Sequence, residues 1–182
     1  MTIEATLQHL WQRLQELQEA LQALETTVDQ DRPGRGDVIV ASRMNDAVLA
    51  ARGHVQDSLE AAREACAAVA SPFDPNRAQR ALVRCQERFH RFADCFGSEL
   101  ASWDRIDDLR SVGRERGQHW LDWTTVVTDG LEHCRRLLQE ARNAVFLSWQ
   151  DLTERMTALP LPVQAETTNV RRLTTEPARL MA

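Results

Sequence analysis

The chain contains no lysine and no tyrosine, and only seven glycines and six prolines in 182 residues. Glycine and proline punctuate a chain, so their scarcity excludes a fold made of many short elements. Strand-favouring β-branched and aromatic residues are thin, with aromatics at 5%, which argues against sheet. No apolar run approaches the length of a membrane span. The opening stretch, MTIEATLQHL, has neither a basic n-region nor an apolar h-region, so no secretory leader is expected. Four cysteines, Cys66, Cys85, Cys95 and Cys134, show no paired spacing. Reduced thiols near core positions, and a cytoplasmic location, are the expectation.

The net charge of −5 argues against generic attraction to nucleic acid or anionic membrane, though local patches can still act. Every basic residue is arginine. That fits either codon drift in a GC-rich genome or selection for planar, bidentate guanidinium contacts.

What is abundant is Ala, Leu, Gln, Glu and Arg, all good helix formers. Ile3, Leu7, Leu10, Leu14, Leu17, Leu21, Leu24 and Val28 recur at alternating steps of four and three. This is a heptad seam, and it predicts a helix over about 2–28. Pro33 and two glycines then mark a turn. A second helix is expected over about 37–70, with an Ala-rich seam from Ala41 through Met44, Val48, Ala51, Val55, Leu59, Ala62 and Cys66 to Val69. A third is expected over 75–110, with Asp74 as cap and Pro75 at its first position. Its seam runs through Leu82, Cys85, Phe89, Phe92, Phe96 and Leu100 to Leu109, with Gly97 a soft point. Ser111–Gly117 reads as a turn. A fourth helix follows over about 117–159, with Gly130 its candidate bend.

Short turns between long helices force antiparallel neighbours. The expected fold is therefore all-α: an elongated, coiled-coil-like antiparallel four-helix bundle over 1–159 with an extended tail over 160–182. The fourth helix, about 60 Å long, exceeds the first, about 40 Å. A flush bundle would leave an apolar overhang. The leucine seam serves equally as an internal rod or as the face of a homo-oligomer. Trp11, flanking it, favours the covered, internal setting.

Two features carry functional expectations. In the tail, Thr167–Leu173 is followed at once by Thr174–Leu180, and both copies read Thr-Thr-x-x-x-Arg-Leu. Each copy offers a guanidinium beside an apolar anchor. Val170, Arg171, Leu173, Arg179 and Leu180 are the candidate contacts to a protein partner, gaining avidity from repetition. Arg77, Arg80, Arg84, Arg88 and Arg91 fall in one sector of the third helix, off its apolar seam. Such a stripe, reaching about 20 Å by helix rise, can track phosphates or take acidic side chains. It is the basis of an alternative reading as a nucleic-acid-binding accessory subunit.

A metal site finds little support. Carboxylate-bridged bundles need two Glu-x-x-His pairs, and Glu87-x-x-His90 stands alone. Asp129 and His133 are isolated. Cys85 and His90 lie on different faces. No phosphate loop, nucleophile elbow or zinc-protease motif is present. The expectation is a non-enzymatic assembly or adaptor protein with no cofactor and no metal. A metal-binding bundle enzyme is kept as a third reading.

Overall fold

The computed structural model describes residues 2–30, 38–70, 72–100 and 103–158. Among them are five α-helices and no strand: α1 Ile3–Gln30, α2 Val38–Val69, α3 Pro75–Cys95, α4 Trp103–Arg116 and α5 Gln118–Thr157. A short π-helical segment, Phe96–Leu100, follows α3 directly. The expected turn after α1 and the tail over 160–182 lie outside the described residues. No helix among the described residues is long and apolar enough to cross a membrane.

The heptad seam of α1 is buried along its whole length, from Ile3 to Val28. Burying each such side chain contributes about 1.5–3 kcal/mol. Tertiary packing of this stripe, more than helix propensity, holds α1 in place. Trp11 is half-buried against the same core.

Cross-helix contacts set the directions. Gln18 Nε2 donates to Gln56 Oε1 at 2.7 Å and Arg52 pairs with Glu25, so α1 and α2 are antiparallel. Glu4 pairs with Arg155, Arg13 with Glu140 at 2.9 Å, and Trp123 Nε1 donates to the Thr27 carbonyl at 3.4 Å. Hence α1 and α5 are antiparallel too. Arg88 meets Asp57 and Arg77 meets Glu64, which sets α3 against α2. Arg110 meets Glu132 at 2.7 Å, which sets α4 against α5. Small residues are buried on α2 and α3 alike: Ala61, Ala62, Ala65 and Ala68 on α2, Ala78 and Ala81 on α3.

The α3 N-terminus follows the sequence. Asp74 accepts a hydrogen bond from the Arg77 amide at 2.9 Å, and Pro75 opens the helix. An Asp cap of this type is worth about 1 kcal/mol.

Three expectations need correction. The third helix does not run unbroken over 75–110. Phe92, Phe96 and Leu100 are spaced four and four, which overshoots an α-turn. The wider π-turn keeps all three on one buried face. Gly97 and Ser98 ease the change; the Ser98 hydroxyl donates to the Asp94 carbonyl at 2.6 Å. Second, Ser111–Gly117 is not a turn. Helix α4 continues to Arg116, and the reversal falls on Gly117 alone, at φ 97° and ψ 175°. That backbone region is essentially glycine-only. Gly113, expected in the turn, instead sits where α4 meets α5: a Cβ there would lie 3.2 Å from Leu121 Cα. Third, the apolar overhang is covered. Helix α4 packs on the first half of α5, where Trp123, Val127 and Leu131 are buried.

Gly130 does not interrupt α5. It allows close approach: a Cβ there would lie 3.1 Å from Leu24 Cδ1. Arg155 ties three elements together, pairing with Glu4 while its guanidinium stacks 4.1 Å from the Phe73 ring centroid.

Candidate functional site

Helix α5 divides its neighbours by length. Its inner flank packs on α1 throughout, and α4 covers the other flank of its first half. Over the second half that flank is left to α3, and α3 and α5 touch only sparsely. The result is an open trough. One part, about 360 Å³, is lined by Gln86, Phe89 and His90 of α3 and Arg142, Val145, Phe146 and Trp149 of α5. The adjoining part, about 650 Å³, lies between Asp94 and the α5 residues Arg135, Leu138, Gln139 and Arg142.

The trough has an apolar floor and an uncovered wall. Phe89 and Val145 are buried, Leu138 and Trp149 half-buried, while Phe146 is 69% exposed. Leu147, next in sequence, is 39% exposed. The Trp149 indole N–H is covered and finds no acceptor among the described residues. A covered donor left unsatisfied costs about 1–3 kcal/mol.

Its rim is rich in arginine, with Asp94 facing it from α3. Arg142 is exposed and makes no ion pair among the described residues. Among the described residues Arg136 reaches the His133 imidazole alone, at 2.8 Å from Nδ1. His90 is exposed on the opposite lip. The Glu132 carboxylate is already engaged by Arg110.

The arginine row of α3 lies on the other flank of that helix. All five side chains are exposed. Arg84 pairs with Glu64, Arg77 lies 4.0 Å from the same carboxylate, and Arg88 lies 3.2 Å from Asp57. Three of the five therefore clasp α3 to α2. Arg80 and Arg91 make no ion pair among the described residues. Asp57 and Glu64 are seven residues apart, two turns on one face of α2. That spacing was the readable sign of the clasp. Pairs this exposed contribute about 0–1 kcal/mol each.

The tail candidates Val170, Arg171, Leu173, Arg179 and Leu180 lie outside the described residues. Glu87 and His90 are both exposed, as are Asp129 and His133. Among the described residues no three His, Cys, Asp or Glu side chains are grouped to hold a metal ion.

Two of the four thiols, Cys85 and Cys134, are fully buried, while Cys66 and Cys95 are half-buried. Burial pushes Cys85 up to about 12, with neighbouring Cys66 adding to the shift, and burial pushes Cys134 up to about 12. Cys85 Sγ donates to the Ser58 carbonyl at 3.6 Å. A thiol that resists ionisation is a poor nucleophile.

The sequence reading did not single out the trough. One signal was there: Ala144-Val145-Phe146-Leu147 is an apolar run wider than the seam of α5. Compared with family models, with curated proteins and with solved structures, the chain matches none.

Proposed function

We propose that this chain is a non-enzymatic assembly or adaptor protein. Its rods form an antiparallel four-helix bundle in which α3 and α4 together supply the third rod. The antiparallel pairing of α1 with α2 and α5, and of α3 with α2, supports that architecture. The observation that carries the functional reading is Phe146, an aromatic side chain 69% exposed beside an open apolar trough. A large apolar group left uncovered on a helix, beside a concave surface, is what a partner's side chains would bury. The tail supplies the second contact, through Val170, Arg171, Leu173, Arg179 and Leu180, tethered beyond the C-terminal end of α5.

The test is co-purification from the native host. Removing 163–182 should leave the helical circular dichroism spectrum intact and deplete the partner at least tenfold. Undiminished capture by the truncated chain would remove the tail from the proposal. Capture of no partner by any form of the chain would remove the adaptor reading altogether.

A further inference from the structure

We infer that the trough between α3 and α5 receives an acidic amphipathic helix of a partner protein. This deepens the assembly reading and rests on it. From Glu132 to Trp149 the trough follows α5 for roughly 25 Å at the usual helical rise. That length holds between four and five turns of a docked helix. Two antiparallel helices with a gap between them offer the groove into which a third lays its apolar stripe, read as anchors at i, i+3, i+4 and i+7. Phe89, Leu138, Val145 and Trp149 supply the apolar floor, and Phe146 supplies a wall already bare of neighbours.

Charge selects the occupant. Arg135, Arg136 and Arg142 line it from α5; against them stand Asp94 on the α3 lip and Glu132, whose carboxylate is already spent on Arg110. The remaining balance favours acidic flanks on the incoming helix. The chain's own tail fits poorly, because it brings Arg171, Arg172 and Arg179 against only Glu166 and Glu176. A second copy docked symmetrically through this face would set one arginine-rich rim against another, since a two-fold interface presents the same patch from both sides.

The test uses the full chain and a fluorescent 18-residue helical peptide, with leucines at the four anchor spacings and glutamates on both flanks. A twin peptide carries lysine in place of every glutamate. The acidic peptide should bind with micromolar affinity by anisotropy, and its twin at least tenfold more weakly. Phe146→Ser and Arg142→Glu should each weaken the acidic peptide at least tenfold, with an unchanged circular dichroism spectrum. Val126→Ser, a change at another exposed position of α5, should leave it alone. The inference is overturned by no binding at millimolar peptide, by equal binding of the twin, by indifference to both trough variants, or by a dimer that Phe146→Ser dissolves, which gives the trough to a second copy. Acidic-peptide binding gained only on removing 159–182 would overturn it in favour of the tail. A chain that loses its native partner with the tail yet ignores the acidic peptide fails this inference alone. A chain that binds the peptide through Phe146 but captures no native partner fails the adaptor reading alone.

Discussion

Two glycine-to-alanine substitutions, both inside helices, should move stability in opposite directions. At Gly53, in α2, a new Cβ meets nothing within 4 Å. Alanine there gains only helix propensity, about 0.8–1 kcal/mol over glycine. At Gly113, in α4, the same gain is available, but the Cβ overlaps the Thr124 hydroxyl and lies 3.2 Å from both Leu121 Cα and Thr124 Cβ. Thr124 is buried, and its hydroxyl donates to the Trp120 carbonyl at 2.9 Å. Relief by rotating Thr124 breaks that bond, at about 1 kcal/mol. Relief by backbone movement separates α4 from α5, and overpacking of this type costs about 1–3 kcal/mol. Backbone contact with Leu121 means that side-chain rotation alone is insufficient, so overpacking wins over propensity. Gly113→Ala should therefore destabilise by about 1–2 kcal/mol net. For a chain of this size the two melting temperatures should part by roughly 4–12 °C, at about 2–4 °C per kcal/mol. Urea unfolding of both variants measures the difference, and Thr124→Ala combined with Gly113→Ala should recover part of the loss. Stabilisation by Gly113→Ala equal to that of Gly53→Ala would refute the packing of α4 on α5 described above.

Phe92→Ala should cost about 3–5 kcal/mol, because Phe92 is fully buried between Phe89 and Phe96, with ring centroids at 6.3 and 5.5 Å; a loss under 1 kcal/mol in urea unfolding would contradict that packing. Cys85 and Cys134 should resist a thiol reagent at pH 8 in the folded protein and react on unfolding. Their folded values lie above the unfolded one, so the folded state keeps protons that the unfolded state loses. Stability should be unaffected by these thiols below about pH 8.5 and fall above it, by up to about 1.4 kcal/mol per pH unit for each thiol; a flat profile between pH 9 and 11 would count against their burial. Replacing Arg80, Arg84 and Arg88 by Glu should lower stability by roughly 1–2 kcal/mol, since it sets like charges beside Asp57 and Glu64. If the alternative nucleic-acid reading holds, the same variant loses a salt-sensitive binding that the wild type shows in a gel-shift assay.

How much of this was legible differs from element to element. The α1 seam was fully readable, because a strict 3–4 repeat leaves one face to bury and all eight of its residues are buried. The Asp74-Pro75 start of α3 was readable because cap chemistry is local. The break after Cys95 was written in the steps of four from Phe92 to Leu100, but a stretched spacing does not by itself say whether a helix unwinds, widens or ends. The position of the reversal at Gly117 was missed because Gly113 and Gly117 look alike in sequence. Only its neighbours Leu121 and Thr124 on α5 give Gly113 a packing role instead of a turning one. The trough was illegible for a different reason. It arises from a competition for the flank of α5, which α4 wins over the first half and nothing wins over the second. No local pattern encodes the outcome of contacts between elements fifty residues apart. The arginine row was visible as a stripe, but its acids stand on another helix.

The most direct measurement places a benzophenone photo-crosslinker at position 146 in one sample of the full chain and at position 126 in another, each irradiated with the acidic helical peptide. Both positions are exposed on α5, at 69% and 54%, but only the first borders the trough. The peptide should be captured at 146 and not at 126, and excess unlabelled acidic peptide should prevent the capture. Equal labelling at the two positions, or labelling at 126 alone, would contradict a docking face between α3 and α5.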